Sequence, residues 1–137
     1  MILKVRNFYY LIAGVLAMLF AITHAWNGQS TVLPTLGIPT VSTDTQTVFT
    51  YVWHIITAEN LVFGIAFLFM SFHSEPSKIR LAAWMMTAIL IVRLIVILGV
   101  TALLDVSALP DTSIDSIAIV LYVTLIILGT SMKKTVQ

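Results

Sequence analysis

The chain contains no cysteine and very little charge. Of its 137 residues, 9% are charged and 59% are hydrophobic, whereas soluble domains average about 25% charged residues. The absence of cysteine excludes disulfides, thiolate metal sites, cysteine-bound iron–sulfur clusters and cysteine nucleophiles. The net charge of +1, without a basic patch, predicts no nucleic-acid partner. The composition instead predicts an integral membrane protein whose main partner is the lipid bilayer.

The sequence also lacks the common motifs of soluble enzymes. It contains no glycine-rich phosphate loop, no HExxH zinc motif and no GxSxG nucleophile motif. Catalysis would therefore depend on an isolated acid or base, Glu59 or His54, acting on a lipid-like substrate. Isolated titratable residues are weak support for an enzyme, so the pattern favours a function other than catalysis.

Four apolar runs are long enough to cross about 30 Å of hydrocarbon as helices, the fourth when its capped first turn is included. They predict a single all-α domain over residues 1–137, with four transmembrane helices in an antiparallel bundle. Pro34 and Pro39 predict that the first connection is a long irregular loop. The predicted spans are 8–26, 47–72, 79–104 and 114–131, and the loops are 27–46, 73–78 and 105–113.

The first apolar run follows two basic residues, as a signal peptide does. Its apolar body is longer than the usual ~7 to 15 residues of a signal peptide. Ala13, Ala17 and Ala21 repeat every four residues, a pattern typical of membrane helices that pack closely. We therefore predict an uncleaved helix. His24 falls on the alanine face by helical angle and is expected to face protein.

Basic residues predict the orientation of the chain. The loops 27–46 and 105–113 contain no lysine or arginine. The positive-inside rule therefore places both termini in the cytoplasm and predicts a multi-pass protein of the plasma membrane. The basic residues that support this orientation are Lys4, Arg6, Lys78, Arg80, Lys133 and Lys134. Aromatic residues near the predicted helix ends are expected in the interfacial belts: Tyr9, Tyr10, Trp26, Tyr51 and Trp53.

Glu59 and Arg93 are ionisable residues near the middle of the second and third spans. Counted from the cytoplasmic ends, Glu59 lies about 19 Å and Arg93 about 18 Å along its helix. A charged side chain in hydrocarbon costs at least about 2.5 to 3.5 kcal/mol, so these opposite charges are expected to pair. Such a pair either fixes helix register or marks a functional site, and both interpretations stay open.

His24 and His54 are predicted at similar heights toward the outer side of the first and second spans. Histidines that face each other across a helical bundle can ligate haem b, so a haem- or quinone-binding redox protein is one alternative. A metal site is less favoured, because no third ligand has matching spacing.

Three further polar residues are candidates for the interior of the bundle. Thr57 and Asn60 share a second face of the second span. Tyr122 is predicted near the depth of Arg93, where it is either a packed aromatic residue or a hydrogen-bond donor to Glu59 or to a ligand.

These observations leave three functions open. The first is binding of a small or amphiphilic ligand, or relay and transport of protons or ions, because ionisable residues within a membrane are functional-site candidates by default. The second is a structural or accessory subunit whose ion pair only fixes packing, and the third is the redox protein. A single copy is expected to enclose little volume, which predicts a homo-oligomer or a partner membrane subunit. The candidate site residues are Glu59, Arg93, His54, His24, Asn60, Thr57 and Tyr122.

Overall fold

The computed structural model of the protein describes residues 4–132, most of which are helical. Within this range, four helices are long and apolar enough to cross a membrane, which confirms the predicted all-α membrane fold. Lys133 and Lys134, used above to predict orientation, lie outside the described residues. The helices are α1 (Phe8–Asn27), α2 (Thr43–Phe72), α3 (Pro76–Leu104) and α4 (Ser113–Ser131).

The first connection begins with two helical turns, so the prediction of an irregular loop over 27–46 was wrong for 28–37, whereas 38–42, which contains Pro39, is irregular. After α1 the chain continues through a π-helical turn, Gly28–Val32, and a 3-10 turn, Leu33–Gly37. Pro34 is tolerated because it lies at the start of the 3-10 turn, where its missing N–H is not needed. Ser42 then caps α2 by accepting a hydrogen bond from the backbone N–H of Thr45 at 3.2 Å.

The last connection is also helical rather than irregular. A 3-10 helix covers Val106–Thr112 and leads directly into α4, so most of the predicted loop 105–113 is ordered. Asp105 begins it by accepting a hydrogen bond from the backbone N–H of Ser107 at 3.1 Å. Between α2 and α3 the chain makes a short turn over 73–75, and Pro76 occupies the first position of α3.

Small residues bring α1 and α2 into close contact. Ala13, Ala17 and Ala21 are buried, which confirms the small-residue face predicted for the first helix. A methyl group added at Gly14 would lie 2.9 Å from the backbone nitrogen of Leu68. Because backbone atoms cannot rotate away as side chains do, the two helices depend on glycine at this position.

A polar cluster joins three helices at the end near the short turn, which we call the short-turn end. The Asn7 side chain accepts from the backbone N–H of Tyr10 at 3.1 Å and donates to the Gly129 carbonyl at 2.8 Å. The Tyr10 and Thr130 hydroxyls lie 2.9 Å apart, and the Asn7 backbone N–H donates to the Ser71 carbonyl at 3.0 Å. Tyr10 is therefore a buried core residue, and its predicted place in the interfacial belt was wrong.

The closely packed helix pairs of the described chain are α1 with α2, α1 with α4, and α3 with α4. The sequence predicted that α2 and α3 are direct neighbours because a short turn joins them. Among the described residues, however, these two helices do not pack closely against each other. Arg93 of α3 is long enough to reach α2 across this separation.

We expect Gly14→Ala to destabilise the protein by about 1 to 3 kcal/mol, because its methyl group forces α1 away from the α2 backbone. The matched control is Gly99→Ala on α3, where an added methyl group meets nothing within 4 Å. Unfolding in mixed detergent micelles titrated with sodium dodecyl sulfate measures both effects. Equal stability of the two variants would contradict the close contact between α1 and α2.

Candidate functional site

A cavity of about 520 Å³ lies between the four helices. The C-terminal half of α1, the middle of α2, the centre of α3 and the N-terminal half of α4 each contribute to its wall. Its volume is within the range of about 300 to 1,000 Å³ that is typical of small-molecule sites. Most of the wall is apolar. The polar lining residues are Thr23, His24, Asn27, Asn60, Arg93, Asp115 and Tyr122.

Arg93 connects this cavity to an ion pair. One terminal nitrogen of its guanidinium group pairs with the Glu59 carboxylate, so the ion pair predicted from the sequence is present. The other terminal nitrogen donates to the Asn60 amide oxygen at 3.0 Å. The side chains of Arg93 and Glu59 are 17% and 28% exposed, respectively. Arg93 and Asn60 line the cavity, whereas Glu59 is not among its lining residues.

Tyr122 is almost fully buried, at 1% exposure, and lines the cavity. Its ring packs edge-on against Phe20 and Phe67, with ring centroids 6.0 and 5.9 Å apart. Its hydroxyl is buried and has no hydrogen-bond partner within residues 4–132. Of the two interpretations of Tyr122, the packed aromatic residue is therefore confirmed, and a hydrogen bond to Glu59 is not present within residues 4–132. Because buried hydroxyls in proteins almost always make a hydrogen bond, this unpaired group is an unusual feature of the cavity wall.

His24 faces protein, as the helical angle predicted. Its imidazole stacks on the Trp53 indole at 4.2 Å with an angle of 8° between the rings. The indole nitrogen of Trp53 donates to the His24 carbonyl at 3.0 Å. A side chain at Gly28 would occupy the space of this indole, so glycine is required there. Trp53 of α2 therefore packs against α1, and its place in the interfacial belt stays a prediction.

His54 lies in a different environment from His24. Its Nε2 atom is 2.9 Å from the side-chain nitrogen of Gln29, and its ring lines an open groove along the surface of α2. His24 lines the central cavity and not this groove. The two imidazoles thus do not face a common space, and a haem held between them does not fit this geometry. Among residues 4–132, no three His, Asp or Glu side chains are grouped as a metal site.

Thr57 is the remaining candidate from the sequence. Its hydroxyl donates to the Trp53 carbonyl at 3.4 Å within α2, and it lines neither the cavity nor the groove. The structure therefore brings His24, Asn60, Arg93 and Tyr122 to one cavity and leaves Thr57 outside it.

Asp115 and Asn27 belong to the cavity wall but were not predicted as site residues. From the sequence, Asp115 was interpreted as a negative charge that stabilises the start of a helix, and Asn27 as part of a turn. A signal for Asp115 was present, because it precedes Tyr122 by seven residues and therefore lies on the same helical face. No comparable signal distinguished Asn27, which is the last residue of α1.

The cavity lies within one chain. The expectation that a single copy encloses little volume was wrong, because the separation between α2 and α3 leaves space in the centre of the bundle. The need for additional volume is therefore no longer a reason to predict self-association.

Four membrane-length helices around a central cavity are the features of a multi-pass α-helical membrane protein. Comparisons of the chain with protein families, with curated proteins and with solved structures gave no match. The cavity and its lining residues are thus the basis for a functional proposal.

We expect Arg93→Leu to destabilise the protein by about 3 kcal/mol, because it leaves the Glu59 carboxylate without its partner in an apolar environment. The double variant Glu59→Leu/Arg93→Leu removes both charges and should recover most of this loss. Unfolding in mixed micelles provides the measurement.

Lys78→Leu is the matched control, because Lys78 pairs with Glu75 at 3.0 Å on the exposed surface and should contribute less than about 1 kcal/mol. A double variant that is no more stable than Arg93→Leu would show that the two charges do not depend on each other.

Proposed function

We propose that this protein binds a small amphiphilic molecule in the cavity between its four helices. The observation that carries the proposal is the buried, unpaired hydroxyl of Tyr122 in a mostly apolar wall. Sites for small molecules are typically concave and apolar, with a few polar groups that orient the ligand. Arg93 and Asn60 supply such groups in the same wall. A ligand with a short hydrocarbon body and one polar group matches this combination.

We further propose that the helices form an antiparallel bundle in the plasma membrane. Two contacts between α1 and α2 support opposite directions: Tyr10 packs on Phe67 near one end, and His24 packs on Trp53 near the other. The positive-inside rule then predicts cytoplasmic termini and a cytoplasmic short-turn end. Under this orientation the cavity is reached from the outer side, where Asn27 and Asp115 lie near helix ends.

A structural or accessory role is the second candidate, and the position of Glu59 favours it. Glu59 is not a lining residue of the cavity, and its side chain retains 28% exposure beside the exposed apolar residues Ile55 and Val62. A carboxylate so placed suits a contact with a second copy or with a partner membrane subunit. Relay of protons or ions has less support, because the carboxylate of Glu59 is already paired with Arg93 and Glu59 does not line the cavity.

Binding of 1-octanol tests the proposed function. Ala118 of α4 lines the cavity, so Ala118→Phe should fill part of it and weaken saturable octanol binding at least about tenfold. Binding is measured by titration calorimetry on protein in lipid nanodiscs, with empty nanodiscs subtracted.

Leu121→Phe is the control on the same helix, because Leu121 is exposed at the outer surface and does not line the cavity. This variant should bind octanol as the unaltered protein does. Absence of saturable binding, or equal binding by Ala118→Phe, would contradict the proposal. Unfolding in mixed micelles verifies that both variants are folded.

The proposed orientation is tested by single cysteines, since the chain has none of its own. In intact cells, a membrane-impermeant maleimide should label Thr40→Cys in the first connection and leave Ser74→Cys in the short turn unlabelled. Both positions are exposed, and both should be labelled once the membrane is permeabilised. The reverse pattern in intact cells would place the cavity mouth toward the cytoplasm.

A further inference from the structure

We infer that the polar group of the ligand is a hydrogen-bond acceptor, a carbonyl or carboxylate oxygen. This inference rests on the proposed function and assigns the chemistry of the group that the cavity holds. It depends on which hydrogen-bonding atoms of the wall are already used and which are not.

Arg93 and Asn60 provide donors that the described chain does not use. A guanidinium group has five N–H donors. The hydrogen bonds of Arg93 go to Asn60 and Glu59 through its two terminal nitrogens, which leaves further N–H groups unused. Asn60 is 6% exposed, and its amide oxygen is occupied by Arg93, so its amide N–H₂ group is the available part of the side chain.

Tyr122 adds a third donor to the same wall. Its hydroxyl is buried, lacks a partner within residues 4–132, and belongs to a residue that lines the cavity. A hydroxyl can donate or accept, but an oxygen that already accepts from Arg93 or Asn60 would also accept from Tyr122. An acceptor oxygen therefore matches the chemistry of all three residues.

Most acceptors of the wall lie elsewhere. The exception is the buried Nε2 atom of His24, which has no partner within residues 4–132 and is a donor or an acceptor according to the tautomer of the imidazole. The carboxylate of Asp115 and the side chain of Asn27 belong to exposed residues close to helix ends. The hydroxyl of Thr23 donates to the Leu19 carbonyl at 2.9 Å and is also exposed. An ammonium group in the buried part of the cavity would find an acceptor at His24 only in one tautomer of the imidazole, and it would lie near the positive charge of Arg93, which is unfavourable.

The ion pair also bears on the charge of the ligand. Glu59 offsets the charge of Arg93, so the wall donates hydrogen bonds without requiring a net negative ligand. A neutral carbonyl and a carboxylate share the required acceptor oxygen. They differ in the charge that they bring into the apolar cavity, and a direct comparison separates them.

The first test compares three probes of equal chain length on the unaltered protein in nanodiscs: 2-octanone, octanoate and octylammonium. We expect 2-octanone or octanoate to bind at least about tenfold more tightly than octylammonium. The tighter of the first two identifies a neutral or an anionic ligand. Octylammonium binding that equals or exceeds both would overturn the inference.

The second test uses Tyr122→Phe. Because the hydroxyl makes no hydrogen bond within the described chain, its removal keeps the ring packing and should not destabilise the protein. We expect 2-octanone or octanoate, whichever binds more tightly, to bind about threefold to tenfold more weakly, while octylammonium binding stays unchanged. Undiminished binding of the acceptor probe by a folded variant would remove Tyr122 from the site and overturn its assignment as a donor.

These outcomes separate the two proposals. If 1-octanol binds in the cavity but the acceptor probes have no advantage over octylammonium, the proposed function stands and the ligand chemistry is wrong. If none of the four probes binds in a manner sensitive to Ala118→Phe, the proposed function itself fails.

Discussion

The charge of Arg93 in an apolar environment is the constraint on which the rest of the structure depends. A guanidinium group among membrane-spanning helices needs a counter-charge and hydrogen-bond acceptors, and α2 supplies both through Glu59 and Asn60. This interaction crosses the separation between α2 and α3, which do not pack closely within the described chain. The two helices are thereby connected without being in close contact, and the space between them becomes part of the cavity.

Glu59, Arg93 and Asn60 have different roles at the cavity. Glu59 neutralises the charge from outside the cavity, whereas Arg93 and Asn60 belong to its wall and keep N–H groups that the described chain does not use. Tyr122 completes the wall from α4, and its packing against Phe20 and Phe67 fixes the ring. A rigid arrangement of donors lowers the ordering cost of binding, because the groups need not be reorganised when a ligand arrives.

Much of the fold was predictable because membrane helices have a strong sequence signal. Length and hydropathy predicted the four helices, and the alanine repeat correctly predicted a buried face of α1. The depths of Glu59 and Arg93 followed from helical rise, which depends only on counting. Connections were predicted less well, since Pro34 and Pro39 indicate only that an α-helix is interrupted and do not exclude other helical turns.

The cavity was less predictable than the helices. Helical angles place a residue on a face, but they do not say which neighbouring helix that face meets. Consecutive α2 and α3 were expected to pack directly, and their separation creates the volume. His24 and His54 were grouped by height alone, although they face different surfaces. Asp115 shows the opposite case, because its seven-residue spacing from Tyr122 already placed the two residues on one helical face.

The polar cluster at the short-turn end has a consequence for how the protein moves. Hydrogen bonds of Asn7 and Tyr10 join the N-terminus of α1 to the C-terminal ends of α2 and α4. The opposite ends of α1 and α4 border the cavity instead of a packed core. Local unfolding free energies are lowest where buried contacts are few, so thermal fluctuations concentrate in that half of the molecule. Small outward displacements of the helix termini there would open the cavity of the proposed binding site, while the hydrogen-bonded half keeps the helices aligned.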